Sequence, residues 1–358
     1  MIPASTKVPR TFEAPQRQHL VRSRAPLRIS FCGGGTDVSP YPERFGGCVL
    51  SCTINKYAYV TLRSRDDSQI AIRSLDYGIE VTYDPSDLGN ASGQLKLVEA
   101  IVRRFNASGL DIFMHSDAPP GSGLGSSSAM IVALCAALAR YGGHEISTYD
   151  LAELAYEIER DDLAITGGMQ DQYAAAFGGF NFIEFGAKSV TVNPLRIGED
   201  ALNELHYHLM LCYTGGTRVS SNILTEQTQR VQDGNEAALE ALHRMRDLTL
   251  DLKRLLLRSQ LPKLGATLHE AWLCKRDLAS SITNAQIDAM YEAARNAGAW
   301  GGKILGAGGG GYLLVAVPFR RRSDVAHALE SFGGKMTEFQ FDTGGVRTWT
   351  AAEDTWGA

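Results

Sequence analysis

A glycine- and serine-rich stretch running straight into an apolar helix is the part of this chain best suited to chemistry. Residues 117–128 read Asp-Ala-Pro-Pro-Gly-Ser-Gly-Leu-Gly-Ser-Ser-Ser, and the apolar run Ala129 to Ala139 follows directly. A helix N-terminus presents N–H groups without intrahelical partners and a partial positive charge, so it is a ready-made phosphate cradle. Gly121, Gly123 and Gly125, between Pro120 and Leu124, let the backbone approach phosphates closely. Ser126, Ser127 and Ser128 add hydroxyls that can bind phosphate or a magnesium ion. The stretch is not a P-loop, because no segment reads G-x-x-x-x-G-K-[ST]; Gly298–Lys303 is one residue short and is followed by Ile304. It also lacks the G-x-G-x-x-G spacing of a dinucleotide site and an acidic residue about twenty positions on. A Gly/Ser surface linker is the plainer alternative, but a linker need not lead into an apolar helix.

Three further segments deserve the same attention. Cys32-Gly33-Gly34-Gly35-Thr36-Asp37 reads as a strand entering a glycine-rich turn. Gly167-Gly168-Met169-Gln170-Asp171 is a glycine-flanked loop opening an Ala-rich helix, and Gly306-Ala307-Gly308-Gly309-Gly310-Gly311 precedes an apolar strand. Other chemistries find little support. His206-x-His208 puts two imidazoles on one face of an expected strand, with no third ligand and no HExxH motif nearby, so a zinc site is not expected. No G-x-S-x-G elbow points to a serine hydrolase.

Composition bounds the reading. The 358 residues, 44% of them hydrophobic, suffice for two domains with real cores. A net charge of −5 without a basic block argues against nucleic acid as a partner. No apolar run reaches the roughly 18–20 residues of a membrane span, and Met1–Leu20 lacks the apolar region of a secretory signal. A cytoplasmic protein with a disordered extension over residues 1–20 is expected. Six cysteines form no CxxC pair and read as buried reduced thiols.

The elements that must hold these segments follow from periodicity. Strands are expected over 22–32, Val49–Arg63 and Ile70–Tyr83, the last two joined by the polar turn Ser64-Arg65-Asp66-Asp67. A helix over Leu95–Asn106 and a strand over Leu110–Ser116 lead to the phosphate loop; helices over 126–141 and Thr148–Arg160 follow. Strands are expected over Phe177–Phe185 and Val190–Val192, and the pattern loosens around Asn193–Leu205. The second half reads as strand His208–Thr214 and a long helical region over 221–261 broken near Asp233-Gly234-Asn235. Helices starting at Pro262 and capped by Asn284 come next, then strand Tyr312–Val317, helix Ser323–Ser331 and strand Met336–Phe341.

With these residues in view, the chain resembles the GHMP small-molecule kinases, named for galactokinase, homoserine kinase, mevalonate kinase and phosphomevalonate kinase. Arg24-Ala25-Pro26-Leu27-Arg28-Ile29-Ser30, Pro119 to Ser127 and Gly306 to Gly311 carry the resemblance, in the family's order, over about residues 22–345. Phe31 to Tyr41, Gly167 to Ala175 and Gly178-Gly179-Phe180-Asn181-Phe182 look like the D-glycero-D-manno-heptose 7-phosphate kinase branch. The resemblance implies a two-domain α+β fold: a ribosomal-protein-S5-domain-2-like domain over 21–195 and a ferredoxin-like domain over 196–350. It implies ATP and Mg²⁺ as cofactors, and transfer to the anomeric hydroxyl of a heptose 7-phosphate, giving a 1,7-bisphosphate for nucleotide-activated sugar biosynthesis. A longer sugar such as an octose 8-phosphate, L-fucose, and a non-catalytic sugar sensor remain alternatives, and a homodimer is one option for assembly.

Site roles follow residue by residue. Asp171 is the expected general base and Arg28 the cation beside it and the transferred phosphate; a helix-capping Asp and a strand-surface Arg are the plainer alternatives. Pro120, Gly121, Gly123, Leu124, Gly125, Ser126, Ser127 and Ser128 are expected to hold ATP, with Ser127 and Glu159 on Mg²⁺. Asp37, Gly35, Thr36, Gly168, Gln170, Gly308 and Gly309 are expected around the acceptor. Something cationic must meet the acceptor's distal phosphate, and Arg218, Lys275 and Lys303 are the candidates, with Ser220 and Ser221 as helpers.

Overall fold

The computed structural model describes residues 19–76, 78–87, 95–216 and 220–352. The expected extension over 1–20 therefore lies outside the described residues except for its last two positions, which begin the first strand. In chain order the elements are β1 (His19–Cys32), α1 (Tyr41–Phe45), β2 (Gly47–Ser64), β3 (Ile70–Ser74), β4 (Ile79–Tyr83), α2 (Leu95–Arg104), β5 (Leu110–Ser116) and α3 (Ser126–Tyr141). Next come α4 (Thr148–Glu157), α5 (Gln170–Phe177), β6 (Phe180–Phe185), β7 (Val190–Pro194) and α6 (Glu199–His208). The second half holds β8 (Leu209–Tyr213), α7 (Ser220–Gln232), α8 (Glu236–Leu257), α9 (Leu261–Arg276), α10 (Ala285–Asn296), β9 (Gly301–Ile304), β10 (Tyr312–Ala316) and α11 (Arg322–Glu330). Strands β11 (Lys335–Thr337), β12 (Phe341–Asp342) and β13 (Arg347–Ala352) close the fold.

Two sheets organise the described residues. The first runs β13-β1-β2-β5-β3-β4, with β12 and β6 also on β2 and β7 on β6; the second is antiparallel, in the order β11-β8-β10-β9. Helix α3 is apolar almost all round and buried, which is what such a pattern demands. It packs on β1 and β2 and against α4 and α5, so the phosphate loop that begins it rests on the main core. A second core surrounds Trp272 of α9, which is fully buried, and includes Ile287, Met290 and Leu313. The expected two-part α+β architecture is present, and the last strands return to the first sheet: β13 pairs with β1 and β12 with β2.

Several expectations are corrected. Ile70–Tyr83 is not one strand but the hairpin β3–β4, and the polar turn at 64–67 does not pair β2 with β3. Strand β5 lies between them, antiparallel to β2 and parallel to β3, and Asp111 on β5 accepts hydrogen bonds from Arg63 at 2.8 Å and Arg65 at 2.7 Å. The strand expected over 336–341 is split between two sheets as β11 and β12. His206 and His208 end helix α6 rather than sharing a strand face. Two positions apart on a helix they point about 200° from each other, and they bond separately, to the carbonyls of Phe339 and Val317, each at 2.7 Å. The helix expected to reach Arg160 ends at Glu157 in a wider turn, where Leu163 N–H donates to Ile158 O five residues back. All six cysteines are free, five of them buried, and no helix among the described residues is long and apolar enough to cross a membrane.

The expected break near 233–235 separates α7 from α8, and Asn284 caps α10, its side chain accepting from Ile287 N–H at 3.0 Å. Because Asn284 also reaches the carbonyl of Gly309, its cap steadies the last glycine loop. Asn284→Ala is expected to cost about 1 kcal/mol of stability. Asn284→Asp, which keeps the cap, should recover most of that loss in a denaturant melt.

Candidate active site

One cleft brings together the segments singled out above. Strand β5 delivers the phosphate loop and α3 takes it away, and the residue before α3, Gly125, is left-handed (φ 74°) and offers no side-chain cap. The first N–H groups of α3 are thus open toward the cleft, as anion binding requires. The last glycine loop lies directly against the phosphate loop. A Cβ on Gly306 would stand 2.5 Å from Gly123 Cα, and Tyr312 N–H donates to Ser122 O at 3.0 Å. Only backbone without side chains fits that approach.

Asp171 is the second residue of α5, and it does not cap that helix. Its Oδ1 accepts from Arg28 Nε at 2.8 Å and lies 2.8 Å from Nη2 in an ion pair, while Arg28 Nη1 donates to Gly123 O at 2.5 Å. Arg28 is buried in β1, with 4% of its side chain exposed, so the surface-arginine alternative fails. A Cβ on Gly125 would meet Asp171 Oδ2 at 3.4 Å, so the second carboxylate oxygen faces the residue that opens α3. Among the described residues Oδ2 has no hydrogen-bond donor.

Glu159 stands in the wider turn after α4 and is buried. Its Oε2 accepts from Ser128 Oγ at 2.9 Å and from Gln172 Nε2 at 2.5 Å. Ser128 rather than Ser127 therefore meets Glu159. One residue is about 100° on a helix, and that step leaves Ser127 exposed. Gln172 Oε1, buried beside this group, has no partner among the described residues.

The acceptor-side residues divide. Asp37 is 1% exposed, and its carboxylate accepts from Gly35 N–H at 3.0 Å and from Gln170 N–H and Nε2, each at 3.1 Å. Burial raises its pKa, the Asp171 charge raises it further, and the N–H donors oppose the shift. A Cβ on Gly168 would sit 2.0 Å from Asp37 Oδ2, so glycine there lets Asp37 tie the two loops together. Gly35, Asp37, Gly168 and Gln170 all line the cleft. Thr36 does not: its hydroxyl is spent inward on the carbonyls of Gly33 and Cys48. Gly308 and Gly309 pack on Ile282, and Gly306 and Ala307 present the loop to the cleft instead.

Of the cationic candidates, Arg218 lies outside the described residues, as do the side chains of Ser220 and Ser221. Lys303 on β9 is not in the cleft lining; its ammonium is 3.0 Å from Ser30 O, bridging the second sheet to β1. Lys275 on α9 does line the cleft, as do Arg160, Leu224 and Gln227, which sequence reasoning missed. An adjoining pocket, also missed, is lined largely by apolar side chains including Ile79, Leu95, Val98, Met114 and Met130, together with Ser126 and Ser127. No single stretch of sequence signals it, because β4, α2, β5 and α3 each contribute only one to three residues.

Comparison with known proteins fits this geometry. A family described as GHMP kinases N terminal domain matches residues 94–179, and one described as GHMP kinases C terminal matches residues 252–335. The D-glycero-alpha-D-manno-heptose 7-phosphate kinase of Campylobacter jejuni is 36% identical over 336 residues, 92% of this chain and 98% of that protein. The chain belongs to the GHMP kinases. It is therefore an ATP-dependent kinase with the family's two-domain α+β fold. A crystal structure titled D-glycero-D-manno-heptose 1-phosphate kinase from Bacteroides thetaiotaomicron superposes with a TM-score of 0.78 at 33% identity, covering 93% of this chain and all of that one. Lactococcus lactis galactokinase, at 19% identity and a TM-score of 0.74 over 92% of this chain and 95% of that one, shares the fold.

Burial lowers the pKa of Lys303 to about 8, with the Cys32 thiol opposing the shift and Arg28 adding to it. Between that value and about 10.4 the unfolded chain binds more protons at this site than the folded one, so the site's contribution to stability rises with pH. The unfolding free energy of Lys303→Met relative to the parent kinase should therefore fall by about 2–3 kcal/mol from roughly pH 7 to roughly pH 10.5. Denaturant titrations at both pH values check this, and a pH-independent difference contradicts it.

Proposed function

We propose that this kinase phosphorylates the anomeric hydroxyl of a heptose 7-phosphate, giving the 1,7-bisphosphate. The observation that carries the reading is the free Oδ2 of Asp171, held by Arg28 and aimed at the uncapped start of α3. In this reading ATP lays its phosphates on Gly121 to Ser128 and its adenine in the apolar pocket between α2 and α3. Asp171 accepts the proton of the acceptor hydroxyl as the oxygen attacks, and Arg28 and the helix N-terminus balance charge on the transferred group. Mg²⁺ fits beside Glu159 and Ser128: one carboxylate and one hydroxyl form a hard oxygen set, and the unpartnered Gln172 Oε1 marks room for a further oxygen-seeking group. When bound, the ion would neutralise the nucleotide's phosphates.

The substrate assignment draws on the Campylobacter relative, whose name specifies a heptose already phosphorylated at position 7. The name of the Bacteroides structure specifies the 1-phosphate instead. Phosphorylation at the vacant end gives the same bisphosphate in both cases, so the acceptor must be tested directly. The product suits a place in nucleotide-activated sugar biosynthesis.

ADP release with Mg-ATP should be measured across heptose 7-phosphate, heptose 1-phosphate, free heptose, an octose 8-phosphate, L-fucose and mevalonate, with ³¹P NMR of the product. Heptose 7-phosphate is expected to turn over fastest and to yield a new anomeric phosphate signal. Asp171→Asn is expected to cut turnover at least about 1000-fold while nucleotide binding stays within about twofold. Nucleotide binding with no turnover of any sugar by the parent enzyme would favour a non-catalytic sensor.

A further inference from the structure

The ionisable groups lining the cleft do not all pair with one another. Among the described residues they are Arg28, Arg160 and Lys275 against Asp37, Glu159 and Asp171. Arg28 is taken by Asp171 at 2.8 Å, and Arg160 lies 3.5 Å from Glu159. Lys275 and Asp37 are left without an ion pair among the described residues, and both are buried, at 6% and 1% exposure.

Lys275 sits at the last turn of α9 and spends two of its three N–H bonds on backbone carbonyls, Ile304 O at 3.2 Å and Gly306 O. Burial, Lys303 and Arg28 all push its pKa down, and Asp37 alone among the main influences draws it up. A buried ammonium with one unspent donor and no counter-ion is costly unless a ligand completes it. Asp37 is its complement. Its Oδ1 accepts only the Gly35 N–H, whereas Oδ2 is saturated by Gln170.

We infer that Lys275 is an acceptor-binding residue of this kinase, its third N–H meeting a sugar hydroxyl whose own O–H donates to Asp37. A hydroxyl both donates and accepts, so one such group satisfies both residues at once. A phosphate dianion has no proton to give the Asp37 carboxylate, so it cannot complete both residues as a hydroxyl does. The contact therefore selects a polyol oxygen, not the distal phosphate for which Lys275 was a candidate. The assignment rests on a sugar being the acceptor, as proposed above.

The test is Lys275→Met, which keeps the side chain's length and removes its charge and donors. The KM for heptose 7-phosphate is expected to rise about 100-fold, the scale of a hydrogen bond to a charged group. The inhibition constant of unphosphorylated heptose should rise by the same factor, with the KM for ATP unchanged within about twofold. Should Lys275→Met fail to fold, Lys275→Arg, whose planar head cannot replace a point charge, must show the same split between sugar and ATP. An equal rise in both KM values would make Lys275 a tie for the glycine loop alone and overturn the inference. So would a rise confined to the phosphorylated sugar, or an unchanged sugar KM. If the parent enzyme does not turn over heptose 7-phosphate, it is the substrate assignment that fails, and the same comparison is run on the sugar that is turned over.

Discussion

One buried guanidinium connects the parts of this active site. Arg28 leaves β1 in the middle of the main core, grips Oδ1 of Asp171 with two nitrogens and reaches the carbonyl of Gly123 with the third. Those three contacts fix strand β1, the start of α5 and the phosphate loop relative to one another. A cation so deeply buried is tolerated only because each of its nitrogens has an acceptor. The carboxylate it orients then has one oxygen left to act, and that oxygen faces the open end of α3.

The rest of the fold serves to keep backbone near backbone around that pair. The last glycine loop touches the phosphate loop through Gly306 and Gly123, and its far end is held by Gly311 N–H on Gly216 O and by Thr214 on Gly311 O. Gly309 N–H rests on Ile282 O, and Ile282 follows Ser280 and Ser281, both bonded to Glu226 of α7. Helix α7 also carries Leu224 and Gln227 into the cleft. The acceptor wall and the loop beside the nucleotide are thus one mechanically continuous unit, on which Lys275 bears from α9.

Much of this was legible in the chain itself. The run from Pro120 into α3 could be read because a buried, all-apolar helix and a loop of Gly and Ser are incompatible with a surface linker. Asp171, Arg28 and Glu159 could be named only through the resemblance, since nothing in their local spacing distinguishes them. What stayed hidden was geometry created by distant pairing. The partner of Glu159 depends on a 100° step between Ser127 and Ser128 and on a widened turn that no residue pattern announces. Thr36 and Asp37 are neighbours with opposite fates, because Thr36 faces Cys48 on β2 and Asp37 faces Gln170. The pocket between α2 and α3 takes its walls from several successive elements that each give only one to three residues, and β12 and β13 return to the first sheet after the whole second sheet has been made.

The central claim is that Arg28 and Asp171 form a single transfer centre. A double-mutant cycle of kcat/KM with Arg28→Met, Asp171→Asn and the two combined tests it most directly, using the best acceptor sugar. Groups that act as a unit give strongly non-additive losses, so the combined variant should be no slower than Asp171→Asn by more than about threefold. Losses that multiply would mean the two residues act independently, and the account of the site built on their pairing would be wrong.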